Sequence, residues 1–217
     1  MTLHCPNTGS MAACAEPDSR VWYWDSGNDK RKYPCTWELV EVAGQYLACV
    51  NTQRANSLVA EAINNGVITE LQGYTSLQQE VKYGQENSRI DIFLQHEAGA
   101  LADCYVEIKN VTWWRGHTAE GVGIGEFPDA VTDRGRKHLR ELAAMVAEGK
   151  RAVLVFCAAH TGIDVVGPAW DKDPKYAQAL LDAIEAGVEV YAYGADINTS
   201  AMSLQRRLPL NLTRPAE

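Results

Sequence analysis

The chain has 217 residues, of which 46% are hydrophobic and 22% charged, with a formal net charge of -8. This supplies at least one substantial core and excludes wholesale disorder, and the acidic balance speaks against a molecule that is positive all over. A local basic groove is still allowed, because nucleic-acid association depends on where the charge lies.

No apolar run approaches the roughly 20 residues of a bilayer-crossing helix. Met1 to Cys14 lacks the basic start and apolar core of an export signal. The expectation is a soluble, cytoplasmic protein with no membrane partner. Cysteines stand at positions 5, 14, 35, 49, 104 and 157 without a CxxC pair. They read as free thiols in a reducing compartment rather than as disulfides or a zinc site.

In chain order, Val21–Trp24 reads as a strand, 25–29 as a turn, and Trp37–Val42 and Tyr46–Val50 as two more short strands. A helix is expected from about Gln53 to Asn65, where Ala55, Leu58, Val59, Ala62 and Ile63 make one apolar stripe, with Gly66 as its stop. Strands follow at Leu77–Tyr83, Arg89–Gln95 and Asp103–Val111, the first two joined by a turn at Gly84–Ser88. The segment Thr112–Pro128, with Trp113, Trp114, Arg115 and four glycines, reads as a long mobile loop. Thr132 or Asp133 can cap a helix reaching about Glu148. Arg151–Ala158 is a strand, Pro174–Ala186 a helix and Val188–Tyr193 a strand, with no assignment beyond Ser200. The larger part is therefore an α/β layer in which helices cover a mixed sheet.

The sharpest chemical signal is Asp91, followed sixteen residues later by Glu107-Ile108-Lys109. Alternation along a strand puts Glu107 and Lys109 on one face. It also sets Asp91 with Arg89 and Phe93, opposite Ile90, Ile92 and Leu94. Paired in register, the two strands bring the carboxylates together beside a lysine. Close carboxylates repel, and a hard divalent cation relieves that repulsion, with the Ile108 carbonyl as a further ligand. Such a cation orients water and stabilises charge on a phosphodiester, assisted by Lys109. The competing reading is an ordinary half-exposed strand.

Glu80 and Lys82 share a face of the preceding strand and are auxiliary candidates. Glu61 lies on the first helix, away from its apolar stripe. On the second long helix, His138 either packs on the shoulder or takes a proton-transfer or phosphate role. Arg134, Arg136 and Lys137 beside it, and Lys30-Arg31-Lys32 after the small module's turn, are candidate nucleic-acid contacts. Trp113 and Trp114 either stack on bases or anchor a flap, and anchoring is favoured.

Several uncommon strings occur in fixed order: His4-Cys5-Pro6-Asn7-Thr8-Gly9-Ser10-Met11, Lys30-Arg31-Lys32-Tyr33-Pro34, Glu80-Val81-Lys82-Tyr83-Gly84, Ser88-Arg89-Ile90-Asp91, Tyr105-Val106-Glu107-Ile108-Lys109-Asn110-Val111 and Phe127-Pro128-Asp129-Ala130-Val131-Thr132. In these the sequence resembles the sugar fermentation stimulation protein A family, DNA-binding proteins also described as DNA/RNA nucleases. The resemblance implies an OB-like β domain at 1–51, truncated relative to the family, followed by a restriction-endonuclease-like domain at 52–217. It implies a PD-(D/E)xK site, with Asp91, Glu107 and Lys109 in the motif positions and Glu61 or Glu80 as the auxiliary glutamate. Mg2+ or Mn2+ would be the ion, and DNA and possibly RNA the partner. Ile90 replaces the motif's proline, and the 112–126 stretch is longer than in most members. An incomplete barrel is expected to expose a sheet edge.

Three functions compete. One is a metal-dependent nuclease. Another is a non-catalytic, largely sequence-neutral DNA-binding protein in the regulation of sugar metabolism. The third is an acidic scaffold with incidental basic patches.

Overall fold

A computed structural model describes residues 1–7, 9–84 and 88–215. A small antiparallel sheet comes first, from β1 (Val21–Asp25), β2 (Cys35–Val42) and β3 (Tyr46–Cys49), in the order β1-β2-β3. Next come α1 (Arg54–Asn64), β4 (Ser76–Tyr83), β5 (Ser88–Gln95) and β6 (Cys104–Val111). The chain continues through β7 (Trp113–His117), β8 (Gly123–Phe127), α2 (Asp133–Ala147) and β9 (Arg151–Ala158). It finishes with β10 (Val165–Pro168), α3 (Pro174–Glu185), β11 (Glu189–Ile197) and β12 (Met202–Leu208). The turn expected at Gly84–Ser88 includes positions 85–87, which lie outside the described residues.

The main sheet has six strands in the order β12-β11-β9-β6-β5-β4. The β6-β9 and β9-β11 pairs are parallel and the others antiparallel. Central β9 is apolar on both faces because helices cover both. Val153, Val155 and Cys157 pack with α1, while Leu154, Phe156 and Ala158 pack with α2 and α3. Thr132 caps α2 by accepting from Gly135 N at 2.9 Å, and Asp173 caps α3 through Tyr176 N at 3.0 Å. Buried Asp173 also accepts from Thr132 N and from Arg136, so one carboxylate fastens both helix starts.

The expected mobile loop at Thr112–Pro128 is instead the β7-β8 hairpin, which joins β10 in a second three-stranded sheet. Two of its four glycines serve close packing. A Cβ on Gly123 would run into the Gly162 carbonyl, and one on Gly125 into the Ile163 side chain. The tail beyond Ser200 also has structure, since β12 pairs antiparallel with β11.

The small sheet is built onto the large one. Leu39 and Cys49 join the α1 core, while Val40, Val42, Ala48 and Val50 form a further cluster with Tyr46 and Trp114 packed against it. The segment after β9 closes the β3 edge, with Cys49 N donating to Ala159 O at 2.8 Å and Thr161 N to Leu47 O at 2.9 Å. At the opposite edge, Val21, Tyr23 and Trp24 of β1 are exposed. An aromatic joint links the two parts. Tyr46 and Trp114 lie 5.3 Å apart, and Trp114 stacks on buried His160 at 6.1 Å. No helix among the described residues is long and apolar enough to cross a membrane.

All six cysteines are free, five are buried, and Cys5 is partly exposed. Burial pushes the Cys14 thiol up to about 11 and those of Cys49, Cys104 and Cys157 up to about 12. A thiol-reactive chromophore at pH 8 should therefore titrate about one thiol in the native protein and all six after denaturation. Rapid reaction of three or more native thiols would contradict this packing.

Candidate active site

Strands β5 and β6 pair through Leu94↔Cys104, Phe93↔Tyr105 and Ile92↔Val106. Beyond Ile92 the ladder opens. In the gap, Asp91 Oδ2 accepts the Ile108 backbone N–H at 2.7 Å, and Oδ1 accepts from Asn56 Nδ2 of α1 at 3.0 Å. The simple alternation expected along β5 breaks here. Ile92 and Leu94 pack on the α1 side, but Ile90 packs with the α2-α3 core. Asp91 therefore sits at the crossover and projects into the opening between the strands.

Glu107 and Lys109 point together toward α2, as alternation along β6 requires. Glu107 is 2% exposed. Its Oε1 accepts from Lys109 Nζ at 2.6 Å and makes a short contact with His138 Nδ1. His138 is buried, and Arg134 Nε donates to its Nε2 at 3.3 Å. With Nε2 accepting, the proton belongs on Nδ1, which donates to Glu107. Two donors thus occupy Oε1, while Oε2 is buried with no hydrogen-bond partner.

The two carboxylates differ electrostatically. Burial, reinforced by the charge of Glu107, pushes the Asp91 carboxyl up to about 6. Burial also works to raise Glu107, but Lys109 and His138 outweigh it and hold this carboxyl below its ordinary range. At neutral pH both are ionised, close together and largely out of water.

The remaining candidates are placed as follows. Glu80 is exposed on β4, with Oε1 3.5 Å from Asn56 Nδ2, so Asn56 bridges it to Asp91. Its φ of +56° is unusual for a glutamate, and the β4-β5 pairing skips it between Gln79↔Ile92 and Val81↔Ile90. Lys82 is exposed and pairs across the strands with Arg89, away from the carboxylates. Glu61 is exposed on α1, five residues and about 140° around the helix from Asn56. The helix residue facing the site is thus Asn56, which sequence reasoning missed. Its only signal was a polar residue beside Ala55 on the flank of the apolar stripe.

Of the basic candidates, Arg136 is taken up by Asp173 and Asp133. Arg31 Nη2 donates to Thr36 Oγ1 at 3.3 Å, and Lys32 lies over the Tyr33 ring at 5.2 Å. Lys30 is exposed, and Lys137 is half-buried on α2. Trp114 anchors the hairpin in the aromatic joint, the favoured role, whereas Trp113 lines a cleft with the Arg115 guanidinium 4.3 Å from its ring.

That cleft has a volume of about 370 Å³. Asn56, Ile108, Lys109 and Trp113 line it, the 127–132 segment walls it, and Asn7 closes it from the amino-terminal side. Each carboxylate thus has a bonded neighbour on the cleft wall, Ile108 for Asp91 and Lys109 for Glu107. Among the described residues, no three Asp, Glu, His or Cys side chains form a metal-ligand group.

Two family models cover most of the chain. One described as "SfsA N-terminal OB domain" matches residues 1–50, and "Sugar fermentation stimulation protein RE domain" matches 53–201. This chain belongs to the sugar fermentation stimulation protein family. It is 51% identical to a sugar fermentation stimulation protein homolog of Pseudomonas syringae pv. syringae, over 97% of this chain and 86% of that one. A Hahella chejuensis homolog is 54% identical over 96% and 83% of the two chains. Among solved structures, Pyrococcus furiosus SfsA in complex with Ca2+ superposes with a TM-score of 0.80 at 25% identity, covering 95% of this chain and 84% of that one. The family's pairing of an OB-like β domain with a PD-(D/E)xK-like sheet and helices is the architecture described above, and it relates the chain to the nuclease superfamily.

The raised Asp91 carboxyl has a consequence for stability. Its folded value of about 6 exceeds the ordinary 3.8, so ionisation costs the fold stability as pH rises across that window. In a chelator, Asp91→Asn should stabilise the protein by about 1–3 kcal/mol at pH 8, and the gain should vanish by about pH 4. Urea denaturation at both pH values measures it. A loss of stability at pH 8 would show that Asp91 is not held against its electrostatic preference.

Proposed function

We propose that this protein is a divalent-metal-dependent phosphodiesterase acting on nucleic acid in the cytoplasm, with residues 1–51 as the OB-like domain and 52–217 as the nuclease domain. The observation that carries the reading is the buried, unpartnered Oε2 of Glu107 beside the ionised Asp91. A desolvated carboxylate oxygen without a donor is costly, and a cation satisfies it. The donor set is all oxygen, which suits Mg2+ or Mn2+. Asp91, Glu107 and the Ile108 carbonyl would hold the ion. A backbone ligand is compatible with there being no three-side-chain group among the described residues. The relative solved with Ca2+ supports a cation in this fold.

When bound, the ion would supply Lewis-acid stabilisation of a phosphoryl oxygen and a more acidic water. The protein's own residues supply the rest. Lys109, on the cleft wall and 2.6 Å from Glu107, places positive charge where a phosphate oxygen gains negative charge. His138 holds Glu107 in its rotamer and leaves Oε2 for the ion. Asn56 orients Asp91 and links it to Glu80, the auxiliary acid. Glu61, turned away on α1, and Lys82, paired with Arg89, take no part at the ion, and Lys30, Arg31, Lys32, Arg134 and Lys137 contact the phosphate backbone. Arg136, being clasped by two aspartates, contributes least.

Labelled single- and double-stranded DNA and RNA, incubated with Mg2+ or Mn2+, should be cut by wild type. Glu107→Ala and Lys109→Ala should each lower the rate about 100-fold or more. Equal background cleavage by all three proteins would remove the proposal.

The acid limb of the cleavage profile should lie near pH 6, because Asp91 must lose its proton before it can ligate. Raising the metal concentration should move that limb to lower pH. A limb that ignores metal concentration would detach Asp91 from the metal.

The second reading, a non-catalytic binder, draws on the lack of a three-side-chain metal group among the described residues. It requires salt-sensitive binding that survives changes at Asp91 and Glu107 with no cleavage at all.

A further inference from the structure

A second depression, of about 650 Å³, lies between the small sheet and the start of α1 and is lined by His4, Trp24, Arg31, Gln53, Arg54 and Ser57 among others. It adjoins the cleft across one ridge. Along the start of α1, Thr52, Ala55 and Asn56 face the cleft, while Gln53, Arg54 and Ser57 face the groove. Pro6 and Asn7 divide in the same way.

The groove presents an aromatic face beside fixed cations. Trp24 is 52% exposed, high for the largest apolar side chain. Glu38 holds Arg54 in a two-pronged pair, Nε to Oε2 at 2.9 Å and Nη2 to Oε1 at 3.1 Å, and also accepts from Asn51 Nδ2 at 2.9 Å. The guanidinium is oriented, yet the Arg54 side chain stays 47% exposed. Arg31 is oriented by Thr36, and exposed Lys30 and Lys32 flank it in sequence. The groove lining therefore holds one open indole, the Arg31 guanidinium and an Arg54 guanidinium whose charge is shared with Glu38.

We infer that this groove is a single-strand track: Trp24 stacks on an unpaired base while Arg31 takes the adjoining phosphate of the strand that enters the cleft, and the exposed edge of the Glu38-bound Arg54 offers only a further hydrogen bond. The inference rests on the reading of the ligand as nucleic acid and narrows it to strands with unpaired bases. A duplex keeps its bases stacked on one another and offers none to an indole, whereas a single strand gives every base a free face. An oriented guanidinium matches phosphate geometry with little further ordering. The Pro6-Asn7 and Thr52–Ser57 ridge is shared, so a strand lying in the groove continues into the cleft that Lys109 lines.

The test is fluorescence anisotropy in a chelator, with a labelled oligo(dT) of about 20 nucleotides and a blunt duplex of equal length. Trp24→Ala should weaken oligo(dT) binding about tenfold and duplex binding less than about twofold, while Trp24→Phe should keep most of the affinity. Arg31→Ala should lower the slope of log affinity against log salt by about one. Thermal melting checks that each variant stays folded, which the exposure of Trp24 favours. Unchanged oligo(dT) binding by Trp24→Ala, or equal losses for single strand and duplex, overturns the track. Cleavage is scored separately. Wild type that binds oligo(dT) through Trp24 but cuts nothing with Mg2+ or Mn2+ ends the nuclease reading and leaves the track standing. Wild type that cuts while Trp24→Ala binds normally does the reverse.

Discussion

Where β5 leaves β6 beyond the Ile92↔Val106 pair, the Ile108 N–H loses its neighbouring strand and is satisfied by the Asp91 carboxylate. Most of the site follows from that one substitution of a side chain for a strand. It leaves a buried amide paired and holds Asp91 at the crossover. It also opens the sheet where Glu107 and Lys109 reach α2. The β6-β9 ladder runs unbroken from Cys104↔Arg151 to Val111↔Ala158, so β6 stays a rigid base while its other edge opens onto the cleft.

Around that opening the protein divides labour between the two oxygens of one glutamate. Lys109 and His138 both act on Oε1, and His138 is in turn fixed by Arg134. Buried charge pairs of this kind add little net stability, because desolvation offsets most of the attraction. Their effect is orientation: they fix the carboxylate and leave its Oε2 without a donor. The α2 face holding His138 is itself kept in place by Asp173, far along the chain at the start of α3.

The order of strands and helices was legible because the apolar periods are clean: the α1 stripe at Ala55, Leu58, Val59, Ala62 and Ile63, and the unbroken run of β9. Asp91, Glu107 and Lys109 were legible as a set because strand alternation fixes Glu107 with Lys109 and the spacing allows adjoining strands. The opening of the β5-β6 ladder was not legible. Nothing in Ser88–Gln95 marks where pairing stops, since that is decided by contacts with α1 and β6. Asn56 stayed hidden for the same reason. The hairpin was misread because Gly116, Gly121, Gly123 and Gly125 suggest freedom locally, and only the approach of Gly162 and Ile163 shows two of them packed. For His138 the sequence allows either packing or a polar role, and the side chain combines them, buried yet bonded to Glu107.

The aromatic joint has a further consequence. His160 lies under Trp114 with Nδ1 accepting from Gly162 N at 2.9 Å, and burial lowers its proton affinity from the usual 6.5 to about 4. An unfolded chain takes up that proton below about pH 6.5 and the folded one refuses it until near 4. Folding stability therefore falls by up to about 3 kcal/mol as acidity rises through this interval. Asp91 responds in the opposite sense over nearly the same range, so the wild-type protein carries two opposed titrations that mask each other. Acid tolerance here is a balance between a seam that weakens and an opening between β5 and β6 that relaxes.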